Sequence, residues 1–87
     1  MAVEITMPKV GMHETDLLLA VWRVKEGDVI KLGDIIADLE SDKTSAELEA
    51  FEEGTLLKII VEEGESVPIG TVVAIVGEAG EDISGMV

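Results

Sequence analysis

With 87 residues, 47% of them hydrophobic and only Trp22 and Phe51 aromatic, the chain has material for one small domain with an aliphatic core; a chain of this size buries only about 60% of its unfolded surface. It contains no cysteine, which excludes disulfides and thiolate metal sites, so any sulfur redox chemistry would have to arrive on a cofactor. A net charge of −13 argues against nucleic acid and anionic membrane as partners, since both are bound through Lys and Arg, and no apolar run nears the roughly 20 residues of a bilayer span.

The N-terminus, MAVEITMPK, lacks both a basic start and a long apolar core, so it does not read as a signal peptide. Val3 to Met7 alternates, with Val3, Ile5 and Met7 on one face, and predicts a strand that Pro8 ends because proline cannot donate to a ladder. Lys9 to Asp16 is a polar loop that holds Gly11, Met12, the single histidine His13, and Glu14. Leu17 to Lys25 is the longest strand candidate. Strict alternation puts Ala20, Trp22 and Val24 on one face and Leu17, Leu19, Val21 and Arg23 on the other, leaving that second face unusually apolar.

Lys25-Glu26-Gly27-Asp28 reads as a turn whose glycine takes a positive φ. Val29 and Ile30 follow as a very short strand, and Leu32-Gly33-Asp34 as a second turn. Ile35 to Leu39 and Ala46 to Ala50 are two alternating strands separated by Ser41, Asp42, Lys43 and Thr44, residues with turn chemistry. This pattern is a hairpin with a primary amine at its tip. Glu52-Glu53-Gly54 turns the chain, Thr55 to Val61 is another strand, and Val67 pairs briefly between turns at Glu63-Gly64-Glu65 and Pro68-Ile69-Gly70. Val72 to Val76 is the last strand, and the EAGEDISGMV tail has the composition of a flexible linker. The expected division is a domain over residues 1–77 and the start of a linker over 78–87.

An internal repeat organises these elements. Glu26-Gly27-Asp28 recurs as Glu63-Gly64-Glu65, Leu32-Gly33-Asp34 as Ile69-Gly70-Thr71, and Ile35-Ile36-Ala37 as Val72-Val73-Ala74, all at one spacing. Two halves of about four short strands, with no helical periodicity, imply two small antiparallel sheets that bury their apolar faces against each other. The expected fold is all-β, a flattened barrel or sandwich with a pseudo-twofold axis, the termini at one end and the Lys43 hairpin at the other.

The stretch ESDKTSAELEA, from Glu40 to Ala50, resembles the modification hairpin of lipoyl domains, the swinging-arm carriers of 2-oxo acid dehydrogenase complexes. The resemblance extends over MPKVG at Met7–Gly11, VKEGDVIKLGD at Val24–Asp34 and VEEGESVPIGT at Val61–Thr71, and so covers nearly the whole chain. It implies that Lys43 carries covalent lipoate; beside it, Asp42 and Thr44 are expected to shape the turn and Glu40 to be read by the modifying enzyme, the alternative for all three being ordinary solvated turn residues. It implies a non-catalytic domain of a dihydrolipoamide acyltransferase subunit. The lipoyl group would be loaded by a thiamine-dependent decarboxylase, would deliver its acyl group to a separate acyltransferase domain for transfer to coenzyme A, and would be reoxidised by dihydrolipoamide dehydrogenase. A lipoate ligase or lipoyl transferase would attach it. The loop residues Gly11, Met12, His13 and Glu14 would then help the decarboxylase recognise its domain. Such complexes imply a bacterial cytoplasm or a mitochondrial matrix.

Two rival readings share the architecture. A biotin carrier domain would have methionine on both sides of the lysine, where this chain has Asp42 and Thr44. A structural barrel-sandwich domain, as in membrane-fusion adaptors, would need no hairpin lysine. A lone histidine without cysteine cannot build a typical transition-metal site. The Glu52-Glu53 and Glu62-Glu63 pairs lack the spaced acidic pattern of a calcium loop and read as solvated charge.

Overall fold

The computed structural model describes residues 2–9, 15–41 and 45–85. The alternating runs form eight strands: β1 (Val3–Thr6), β2 (Asp16–Trp22), β3 (Val29–Ile30), β4 (Ile35–Glu40), β5 (Ser45–Glu49), β6 (Gly54–Ile59), β7 (Glu65–Pro68) and β8 (Val72–Gly77). They pair antiparallel into two four-stranded sheets, ordered β1-β8-β6-β3 and β5-β4-β2-β7. Their facing sides enclose one aliphatic core that includes Leu17, Leu19, Ile36, Leu39, Leu48, Leu56 and Val73, all 1% exposed or less. The flattened barrel-sandwich expected from the repeat is the fold observed.

Glu26 to Glu63 is 37 positions, and that interval maps one sheet onto the other: β2 onto β6, β3 onto β7, β4 onto β8. The backbone bonds repeat with it. The Gly27 N–H donates to the Leu56 carbonyl at 2.7 Å, and the Gly64 N–H to the Leu19 carbonyl at 2.8 Å. Two carboxylates tie the sheets reciprocally: Glu26 accepts from the Ile59 N–H at 2.8 Å, and Glu63 from the Trp22 N–H at 2.7 Å. Within the turns, Asp28 accepts from the Lys25 N–H and Glu65 from the Glu62 N–H. Glu63 therefore has a structural partner, where the sequence suggested only solvated charge.

The strict alternation read for β2 is corrected by a bulge. Leu19 pairs with Leu39 but Val21 pairs with Asp38, so Ala20 is an extra residue with no partner opposite. One inserted residue reverses the facing of everything after it. Leu17 and Leu19 point into the core, but beyond the bulge Trp22 and Val24 turn inward while Val21 becomes 45% exposed. The second apolar face expected from the sequence is thus split between inside and outside. The strand also ends at Trp22 and not at Lys25, although the Arg23 N–H still donates to the Ile36 carbonyl at 2.8 Å. The bulge recurs at Leu57 in β6, and a second kind recurs at Ile36 in β4 and Val73 in β8. Each pair keeps the repeat interval, so the distortions belong to the repeated unit.

Gly27 and Gly64 hold φ at +96° and +89°, a region that side chains rarely occupy. A Cβ at either would meet nothing within 4 Å, so replacement is penalised by backbone strain alone. Gly27→Val and Gly64→Val are each expected to cost about 1–3 kcal/mol. Unchanged urea midpoints in both variants would contradict this.

Candidate functional site

The β4–β5 hairpin is built to hold its ends rigidly. Across it, Ala37 pairs with Leu48, Asp38 with Glu47, Leu39 with Ala46, and Glu40 with Ser45. Leu39 and Leu48 root it in the core, both 1% exposed or less, while Glu40 and Ser45 are exposed. On its other side β4 is backed by β2, through Leu18 opposite Glu40 and Leu19 opposite Leu39. Residues 41–44 therefore join two strand ends whose positions are fixed by a central strand and its two neighbours. Of the flanking residues singled out by sequence, Glu40 is the last residue of β4. Asp42, Lys43 and Thr44 lie outside the described residues, as do Gly11, Met12, His13 and Glu14.

The surface beside the hairpin is acidic. Asp38, Leu39, Glu40, Ser45, Ala46 and Glu47 line an open depression of about 440 Å³. One of these residues, Asp38, holds Arg23 in a bidentate pair, Nε to Oδ1 at 2.8 Å and a terminal guanidinium nitrogen to Oδ2 at 3.0 Å. That hydrogen bond, and then the Asp38 charge, hold the Arg23 guanidinium above its ordinary pKa, with Glu47 adding a smaller push. The pair was not visible in the sequence, because it depends on the Ala20 bulge turning Arg23 outward. Among the described residues, no three His, Asp or Glu side chains are grouped to hold a metal ion.

The β4–β5 strand ends lie at one end of the molecule, and the start of β1 and the end of β8 at the other. β1 begins beside the end of β8, with Val3 opposite Val76. It runs away from there to Met7, which bonds to Gly70 and Thr71, next to the Pro68 that pairs with Asp16 on the hairpin side. The terminal end repeats the hairpin in open form. Gly77 stands at the Glu40 position and Ala2 at the Ser45 position, and a Cβ on Gly77 would lie 2.9 Å from the Ala2 Cα. Residues 78–81 turn there, with the Glu81 N–H donating to the Glu78 carbonyl at 2.9 Å. The Glu81 carboxylate accepts from the Glu78 N–H and from the Ala2 N–H. The Glu78 bond, followed by the Ala2 bond, holds that carboxyl below its usual range.

Comparison with known proteins agrees with this geometry. Residues 3–76 match the biotin/lipoyl family profile described as "Biotin-requiring enzyme". The chain is 46% identical over 85 residues to the dihydrolipoyllysine-residue acetyltransferase component of the pyruvate dehydrogenase complex of Zymomonas mobilis, covering 97% of this chain and 19% of that protein. It is 43% identical over 83 residues to the corresponding component of the acetoin cleaving system of Bacillus subtilis, covering 95% of this chain and 21% of that protein. Among solved structures, the lipoyl domain of the 2-oxoglutarate dehydrogenase complex of Azotobacter vinelandii superposes with a TM-score of 0.70 at 29% identity, over 87% of this chain and 96% of that one. The chain belongs to the biotin/lipoyl domain family, as a carrier domain of the lipoyl type and not itself a catalyst. It spans about a fifth of the length of the curated relatives it matches.

Proposed function

We propose that Lys43 is the attachment point for lipoate and that the domain works as the swinging-arm carrier of a 2-oxo acid dehydrogenase-type acyltransferase. The observation that carries this reading is the Glu40–Ser45 register, which gives four residues to join two core-anchored strand ends, with one lysine among them. Such a connection offers the Lys43 Nζ to an activating enzyme without demanding any general base or metal of the domain. The amine attacks the carbonyl of a lipoyl adenylate, the amide bond forms, and AMP leaves with the electron pair of the broken mixed anhydride. Asp42 and Thr44, in place of paired methionines, favour lipoate over biotin. When bound, lipoate supplies a reducible disulfide on a long arm that accepts and yields an acyl group. The protein's share is to hold the base of that arm and to be recognised.

The partners that follow are a lipoate ligase or lipoyl transferase, a thiamine-dependent decarboxylase, an acyltransferase catalytic domain and dihydrolipoamide dehydrogenase. The loop Gly11–Glu14 is proposed as the part read by the decarboxylase. In the repeat it is extra: residues 51–53 join Ala50 to β6, whereas residues 8–15 join Met7 to β2. The setting proposed is a bacterial cytoplasm or a mitochondrial matrix.

Intact mass and peptide mapping of protein from cells fed lipoate and biotin test the assignment. A lipoyl gain on the peptide containing Lys43 is expected, with Lys9, Lys25, Lys31 and Lys58 unmodified and no gain in Lys43→Gln. A biotinyl gain would move the domain to the biotin carriers, and no gain of either kind would leave it a structural module.

A further inference from the structure

The two halves of the repeat are not equally covered. In the second half Ile69 and Pro8 are half-buried, and the Ile69 N–H donates to the carbonyl of Thr15 at 2.9 Å. The equivalent of Ile69 in the first half is Leu32. Phe51 is the equivalent of Pro8, because the Ala50 bonds to Gly33 and Asp34 repeat those of Met7 to Gly70 and Thr71. Leu32 is 65% exposed and Phe51 71% exposed. Val29, also 71% exposed, stands where the second half has Ser66. The Gly33 N–H bond to the Ala50 carbonyl, 2.9 Å, brings Leu32 alongside Phe51, and Val29 lies three residues before Leu32. Among the described residues nothing accepts from the Leu32 N–H. Glu49, Glu52 and Glu53, within two positions of Phe51 in the chain, are all exposed, and Lys31, next to Leu32, is the nearest cation in sequence.

We infer that the Val29–Leu32–Phe51 surface seats an extended segment of a partner protein in which apolar residues alternate with Lys or Arg. Its carbonyl would take the Leu32 N–H as Thr15 takes that of Ile69, its apolar side chains would cover Leu32 and Phe51, and its cations would meet the Glu49, Glu52 and Glu53 rim. Scattered exposed apolar residues need no explanation, but Leu32 and Phe51 flank one backbone bond, and with Val29 three residues earlier they replace a covered or polar set in the other half. Main-chain bonding with alternate side chains in contact is an established way for proteins to capture extended peptides. A second copy of this chain fits poorly, because each carries a net charge of −13 and two acidic rims would be pressed together. The surface is at the end away from the β4–β5 connection, so its occupant is compatible with the carrier role and independent of it.

The probe is a blocked octapeptide of alternating lysine and valine, titrated into isotope-labelled protein and followed by amide chemical shifts. Shifts concentrated in residues 28–34 and 49–54 are expected, with slowed exchange of the Leu32 amide. The Leu32→Ser/Phe51→Ser variant, altered only at exposed positions, should bind at least tenfold more weakly while melting at the wild-type temperature. Glu52→Lys/Glu53→Lys should weaken binding as strongly, and an alternating glutamate-valine peptide should not bind. Absence of binding by the basic peptide overturns the inference. So do shifts equally strong at Asp38, Glu40 and Glu47, or affinity unchanged in the serine variant, since either means charge attraction alone. Sedimentation showing a wild-type dimer lost in the serine variant would also overturn it, assigning the surface to a second copy.

Discussion

Exchanging Asp42 and Lys43, by the double change Asp42→Lys and Lys43→Asp, is expected to abolish lipoylation while leaving the fold in place. Composition, net charge and the turn character of the connection are unchanged. The ladder from Ala37–Leu48 to Glu40–Ser45 contains neither residue, so the strand ends keep their anchors. Surface changes of this kind usually alter stability by no more than about 0.5 kcal/mol. Amide formation, however, requires the nitrogen to approach the adenylate's acyl carbon from above the plane of the carbonyl group, and a misplacement of about 1 Å can cost about a hundredfold in rate. Moving the amine by one position along the chain shifts its origin by about 3.8 Å. A purified ligase with lipoate and ATP, read by intact mass, measures the outcome. A lipoyl gain on the exchanged protein would show that the ligase needs only a lysine somewhere in the connection.

The largest losses of stability are expected at Leu19 and Leu56, and they should be nearly equal. These residues occupy the same place in the repeat, are fully buried, and each offers its carbonyl to the turn glycine of the opposite half. Truncating a buried leucine to alanine removes transfer free energy and leaves a cavity, together about 2–5 kcal/mol. At about 0.05–0.15 kcal/mol per residue a domain of this size has roughly 4–13 kcal/mol in all, so either change removes a large fraction. Urea unfolding of Leu19→Ala and Leu56→Ala gives the comparison directly. If one variant lost under about 1 kcal/mol and the other more than about 2, the two halves of the core would not be packed equivalently, whatever their backbones share.

Much of this architecture is legible in the sequence because the chain states it twice. Alternation located the six longer strands to within a few residues, the turns bracketed the short segments at Val29-Ile30 and Val67, and the recurrence of the two glycine turns gave the pairing of halves and the positive φ at Gly27 and Gly64. What alternation could not supply was the set of bulges. A period-two reading assigns Val21 and Leu19 to one face, and only the register shows that Ala20 is an added residue that sends them apart. A hint was present at Ile35-Ile36-Ala37 and Val72-Val73-Ala74, where consecutive apolar residues recur in both halves and mark the second bulge. The Arg23–Asp38 pair and the reciprocal bonds of Glu26 and Glu63 join residues 15 to 41 positions apart, so no local pattern could announce them. For the site, the sequence contributed the motif around Lys43, and the structure contributed the anchored strand ends that frame it.

The open counterpart of the hairpin has a mechanical consequence. Force applied between Ala2 and Glu81 acts on β1 and β8 at the end they share, so it peels their antiparallel bonds apart singly instead of shearing the ladder as a whole. The first contact to give way is the Glu81 carboxylate bond to the Ala2 N–H, followed by the Val3–Val76 pair. The β4–β5 connection is off this load path, in the other sheet and at the far end. Tension at one pole can therefore be absorbed by fraying there while the opposite pole keeps its shape.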